Sequence, residues 1–346
     1  MLRRTMAGVV VATLLVAGTG CLKRKEKITI APDGAADIVI EYRGSKQDFG
    51  GRDVLPTAAA GWEVTRTTET KRRPDGSDEQ EDVLRAEQRF APGQPLPANF
   101  ASPADPNAEL YTQFPTRLTV EQRPDGTYYH LRRTYAPRRW AHVQYWKHVF
   151  INDDIEKLVE KPSESLTTDE RAKIFAAFAS FEWHRQVELA KAALADAEPN
   201  LAPDAWLRAR AALRGVYESV AFAQLAARYE SMSKEQADAE LEEEADRFMA
   251  NAREAFSTSL RGEPAMTEAR MAAITAALDR QNLAHDVTSV TGGHNFEIRA
   301  VMPGQIVGHN ADRMDEQDDG ALVWEFSGEA FRDRTHELLA TSRLAK

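Results

Sequence analysis

Lys27-Ile28-Thr29-Ile30-Ala31-Pro32-Asp33-Gly34-Ala35-Ala36-Asp37-Ile38-Val39-Ile40 decides the fold. Ile28, Ile30, Ile38 and Ile40 recur at every second position among mostly polar neighbours, the period of a half-buried strand. Pro32-Asp33-Gly34 lies between the two runs as a turn: Pro presets φ, Asp bonds the backbone two residues on, and Gly accepts positive φ. The tripeptide returns at Pro74-Asp75-Gly76 and Pro124-Asp125-Gly126. Each copy separates β-type runs, Trp62–Thr70 from Val83–Phe90 and Leu118–Gln122 from Tyr128–Thr134, so three hairpins are predicted. Residues 92–109, with Pro92, Pro95, Pro97, Pro103 and Pro106, read as a loop.

Beyond this region the period changes. From about Pro137 to Asn282 the pattern is helical. Thr167-x-x-Glu170 is a capping box ahead of Ile174, Phe178, Phe181 and Leu189, which share one face. Glu198-Pro199 stops that helix, and Pro203 opens one with the stripe Trp206, Leu213, Val216 and Val220. Ser233-x-x-Gln236 is a second box, before Leu241, Ala245, Phe248, Ala252 and Phe256. Pro264 begins a helix through Met271, Ile274 and Leu278. Short connections predict an antiparallel bundle. After Asn282 the chain returns to strands: Asp286–Val290 and Phe296–Val301 around Gly292-Gly293, then Ile306–Val307 and Leu322–Phe326 around Asp318-Asp319-Gly320. Residues 332–344 fit either strand or helix. A short terminal hairpin is marginal alone, so these strands are expected to complete the N-terminal sheet. The expected class is α+β: a hairpin-rich antiparallel β-domain over residues 28–136 and 286–346, with a helical bundle inserted at 137–285.

The N-terminus reads as an address. Arg3 and Arg4 precede an uncharged, Val- and Leu-rich run from Ala7 to Ala17, then Gly18-Thr19-Gly20 and Cys21: the order of a signal peptide over residues 1–20. The apolar run is too short to span a bilayer, which takes about 20 residues. Cys21 is the only cysteine among 346 residues, so an internal disulfide is impossible. The segment resembles a bacterial lipobox, which implies cleavage before Cys21 and diacylation of its thiol, though Gly18 stands where an aliphatic residue is usual. Residues 21–27, Cys21-Leu22-Lys23-Arg24-Lys25-Glu26-Lys27, are expected to be a lipidated tether whose basic side chains lie at the membrane surface or in solvent. Leu22 rather than Asp after the cysteine favours the periplasmic face of an outer membrane where the host has one.

The outline is also similar to the β-rich domain of LppM-like bacterial lipoproteins, on Cys21, Asp33-Gly34, Gly320 and Trp324, over roughly residues 21–45 and 294–344. The resemblance implies an envelope location and carries no catalytic residue.

Forty-four Lys and Arg against 54 Asp and Glu leave a net charge of −10, which argues against a nucleic-acid partner, since that needs a basic footprint. His142 and His148 lie among Trp140, Tyr145 and Trp146, but six residues apart they share no helical face and read as part of an amphipathic junction helix. Glu182-Trp183-His184 offers too few ligands for zinc. Asp312, Asp315, Glu316, Asp318 and Asp319 miss the calcium-loop spacing and read as a solvated hairpin tip; Glu240-Leu241-Glu242-Glu243-Glu244 reads as a solvent-facing helix surface. Nucleophile-elbow, Walker and dinucleotide glycine patterns are lacking. No cofactor, metal site or catalytic residue is therefore assigned. The expected function is non-enzymatic binding or scaffolding by a membrane-anchored lipoprotein, with an envelope protein as partner. An envelope hydrolase with a dispersed site, or a carrier of an apolar ligand, are the alternatives.

Overall fold

The computed structural model describes residues 22–46, 48–50, 52–72, 78–139, 141–161, 165–218, 224, 226–228, 234–263 and 265–346. The chain is α+β and divides into two compact units, one from Gly18–Trp140 with Asp286–Lys346, the other Ala141–His285.

The first unit holds two sheets. Strands β1 (Lys23–Ile30), β2 (Ala36–Gly44), β3 (Glu63–Arg72), β4 (Asp78–Phe90), β7 (Asn295–Val301), β9 (Arg313–Asp315) and β10 (Ala321–Ser327) form one, in the order β3-β4-β2-β1-β7-β10-β9. Strands β5 (Thr116–Arg123), β6 (Gly126–Tyr135), β8 (Gln305–His309) and β11 (His336–Leu344) form the other, in the order β5-β6-β11-β8. β1 pairs antiparallel with β2, Ile28 opposite Ile38, and parallel with β7, Lys23 opposite Asn295. The C-terminal strands thus complete both sheets: β7 and β10 extend the first, and β11 lies between β6 and β8 in the second. Ile28, Ile38, Ile40 and Leu84 from one sheet and Tyr129, Leu131, Tyr135 and Leu338 from the other join in a single apolar core, the solution by which two half-apolar sheets bury their faces against each other.

The turns follow from their residues. Asp33 accepts a hydrogen bond from the Ala35 amide at 2.8 Å, and Gly34 takes φ 87°. Pro124-Asp125-Gly126 joins β5 to β6; Pro74-Asp75-Gly76 lies outside the described residues.

The second unit is helical: α1 (Ala141–Phe150), α2 (Asp153–Glu160), α3 (Thr168–Ala197), α4 (Pro203–Glu218), α5 (Lys234–Arg261) and the larger part of α6 (Glu268–Gly292). Thr167 and Glu170 form the capping box of α3, satisfying amides that the first turn otherwise leaves open. Leu189 and Ala193 of α3, Leu213 of α4, Phe256 of α5 and Ile274 and Leu278 of α6 share one core. Ile174 and Phe178 form another with Ile151 and Leu166. Ser233, Pro264 and Val220 lie outside the described residues. No described helix is long and apolar enough to cross a membrane.

Two expectations are corrected. Asp286–Val290 is not a strand but the end of α6, which runs to Gly292. The β-branched residues suggested a strand, yet Val287, Val290 and Thr291 fall on one helical face and are buried, and Thr291 Oγ1 donates to the Val287 carbonyl at 2.6 Å. Burial outweighs helix propensities that differ by only a few tenths of a kcal/mol per residue. Gly292 is accordingly a helix end rather than a hairpin turn. The second correction concerns residues 21–27: Lys23–Lys27 is no tether but the first half of β1, at the centre of the larger sheet, with Arg24 and Glu26 buried. Residues 332–344, ambiguous in sequence, end in strand β11.

Candidate functional site: the end of the sheet beside Cys21

Cys21 lies outside the described residues. Its neighbour Leu22 is 2% exposed, and its carbonyl accepts a hydrogen bond from the Asn295 amide at 3.1 Å. A Cβ on Gly44 would stand 3.0 Å from the Leu22 side chain, so the loop leaving β2 begins in contact with it. That loop is held by its own acids. Asp48 accepts from the Ser45 amide at 2.6 Å, and Asp53 from the amides of Val54 and Thr112, each at 3.0 Å. Between loop, sheet and the end of α6 lies a cavity of about 10 Å³, lined in part by Leu22, Arg24, Tyr42, Asp53, His294 and Phe296. That volume is at the lower limit for one water.

His294 follows α6 and is buried, and its Nε2 has no hydrogen-bond partner among the described residues. Burial pushes its imidazole down to about 4, with Asp53 opposing and Arg24 reinforcing the shift. It is therefore neutral at pH 7, enclosed, and without the open approach that a general base requires.

Behind this cavity runs an ionic network through the sandwich core. Arg24 Nη2 lies 2.5 Å from Glu26 Oε2, and Arg133 Nη2 lies 2.7 Å from Glu26 Oε1. Arg133 Nε donates to Thr116 Oγ1 at 2.7 Å. The Arg24 guanidinium sits 4.5 Å from the Phe114 ring and 4.6 Å from that of Phe100, a cation–π arrangement. Burial alone would raise the Glu26 carboxyl; Arg133 and Arg24 override it and hold it down to about 2. One carboxylate between two guanidiniums ties β1 to β6 across the two sheets. All three side chains are closed from solvent, so the network positions strands and offers no reacting atom to a ligand. Sequence reading missed it, although the phase was present: Arg24 and Glu26 continue the alternation of Ile28 and Ile30 backwards, and Arg133 lies in phase with Leu131 and Tyr135.

Other singled-out residues do not converge here. Asp318 pairs with Lys27 at 2.5 Å and with Arg299 at 3.1 Å, Asp315 pairs with Arg299 at 2.9 Å, and Asp312 accepts the Glu325 amide at 2.7 Å. These acids therefore serve cations and backbone. Asp319 and Gly320 take the left-handed turn, φ 52° and 69°. In the helical unit Glu182 pairs with Arg185 and accepts from Gln186, whereas His184 packs between Trp146 and Phe150, with ring centroids 4.3 and 4.6 Å away. His148 is exposed on α1, and the His142 side chain and those of residues 240–244 lie outside the description. Among the described residues no group of three or more His, Cys, Asp or Glu is arranged to hold a metal ion.

Compared with protein-family models, curated proteins and solved structures, the chain matches none.

Proposed function

We propose that this protein is an envelope lipoprotein, cut before Cys21 and diacylated there, whose β unit is held against the membrane and acts by binding or scaffolding. One observation carries the reading: the residue after the cysteine is already packed into the β core. Leu22 is buried and Lys23 opens the central strand β1, so removal of residues 1–20 would leave that strand whole. The order before the cysteine, Arg3-Arg4, the apolar run Ala7–Ala17 and Gly18-Thr19-Gly20, has the grammar of an export signal. Two acyl chains suffice for stable anchoring where one does not.

The resemblance to LppM-like lipoproteins supports the same reading. Trp324 lies on β10, whose neighbour β7 pairs with the strand that follows Cys21. The periplasmic face of an outer membrane and an envelope protein partner belong to this proposal, and the net charge of −10 weighs against nucleic acid. The aromatic filling of the β core, Phe100 against Phe114 at 4.7 Å and Tyr135 against Phe331 at 5.2 Å, weighs against a carrier site inside this unit.

The test is fractionation of cells fed an alkynyl fatty acid. The wild-type chain is expected in the membrane fraction and labelled, and Cys21→Ser unlabelled. Label retained by Cys21→Ser would place the lipid elsewhere and overturn the assignment.

A further inference from the structure

Asp48 and Asp53 both line the small cavity, and both accept backbone amides. Lys23 and Lys46 are exposed and enter no ion pair among the described residues. The Arg52 side chain is 70% exposed and pairs with Asp286 at 4.0 Å. Farther along β1 the bases are matched: Lys25 lies 3.3 Å from Glu297, and Lys27 pairs with Asp318. The exposed cations of this end, Lys23 and Lys46 outside any ion pair among the described residues and Arg52 in a long pair with Asp286, thus come from two segments that touch, the start of β1 and the loop after Gly44. They do so in a chain whose net charge is −10.

We propose that the surface carrying Lys23, Lys46 and Arg52 lies on anionic phospholipid headgroups, a reading that rests on the anchoring of Cys21 proposed above. Cys21 and Lys23 are two residues apart in sequence, a span of at most roughly 7 Å. The headgroup layer outside the hydrocarbon is itself about 5–8 Å thick on each side. Because Leu22 is packed into the sheet, the intervening chain has no slack. Lys23 is carried into the headgroup layer, and the loop bearing Lys46 and Arg52 comes with it. Cations there are drawn to anionic lipid, and the attraction weakens with salt.

The test uses the full lipidated chain extracted from membranes and reconstituted into vesicles of phosphatidylcholine alone or of phosphatidylcholine with phosphatidylglycerol at about 3:1. Acetylation rates of Lys23 and Lys46 by a water-soluble reagent are read by peptide mass, with the same chain in neutral detergent as reference. The mass of the N-terminal peptide is read in the same samples. Expected is an acylated Cys21 and acetylation of both lysines slower by about fivefold or more in the anionic than in the neutral vesicles, the difference removed by about 0.5 M salt. The double variant Lys46→Glu, Arg52→Glu, altered only at exposed positions, should lose most of the slowing at Lys23. An acylated Cys21 with equal rates in both vesicles, or slowing that survives the double variant, overturns the headgroup surface and leaves the anchor standing. An unmodified Cys21 overturns the anchor and this surface together.

Discussion

His294 and Glu26 titrate in different windows, and both couple folding to acid. Burial lowers the His294 imidazole to about 4 against an ordinary value of 6.5. Between those values the unfolded chain binds a proton that the folded chain refuses, so stability falls as pH drops from about 6.5 towards 4. The Glu26 carboxylate, held down to about 2 against 4.5, loses its stabilising ionised form over the lower window, from about 4.5 towards 2. The windows barely overlap, so one substitution separates them. His294→Gln should remove most of the loss between pH 7 and pH 5, on the order of 2 kcal/mol at 1.36 kcal/mol per pH unit, while acid unfolding below pH 4 persists. Urea midpoints at pH 7 and 5 measure it. A variant whose pH dependence parallels that of wild type would show that His294 is not held neutral. Glu26 itself was missed in the sequence because a charged run after a lipobox-like cysteine invites a solvent reading. Only the phase of Ile28 and Ile30, run backwards, places it inside.

At the level of elements, the strands and helices that carry their own punctuation were legible. Asp33-Gly34 and Asp125-Gly126 turn where their chemistry requires, and Thr167 and Glu170 cap α3. The end of α6 was not legible, because Val287, Thr288, Val290 and Thr291 have β-type side chains and only tertiary burial keeps them helical. The close approach that ends α6 is visible only in three dimensions. A Cβ on Gly328 would lie 1.8 Å from the Thr291 carbonyl oxygen, whereas a Cβ on Gly292 meets the movable guanidinium of Arg332. Backbone cannot yield as a long side chain can. Gly328→Ala is therefore expected to destabilise by about 1–3 kcal/mol, the usual range for overpacking, and Gly292→Ala by less. Thermal or urea unfolding of the two variants decides. The reverse order would mean that α6 does not end against Gly328 as described.

For the whole molecule, the alternation of β, helical and β sequence sufficed to read a sheet completed from both ends. The parallel pairing of β1 with β7 and the split of β8 and β10 between two sheets were beyond it. Pairing partners far apart in sequence are set by which faces fit, and composition does not encode that. Ending the chain after His294 removes β7, the partner of β1, and β11, the partner of β6, together with Phe296, Ile298, Trp324 and Leu338 of the common core. Such a chain should lose its cooperative β unfolding transition, as judged by circular dichroism; a truncated chain that keeps it would contradict a β unit built from both ends. For function the sequence supports only the address proposed above, because the lipobox-like pattern around Cys21 is local, whereas the surface proposed for Lys23, Lys46 and Arg52 draws on segments distant in sequence. The central claim is best tested by the mass of the N-terminal peptide of the protein extracted from its own membranes. The account predicts a chain that begins at Cys21 and carries a diacylglyceryl group. A chain that begins at any other residue, or an unmodified thiol at Cys21, would contradict it.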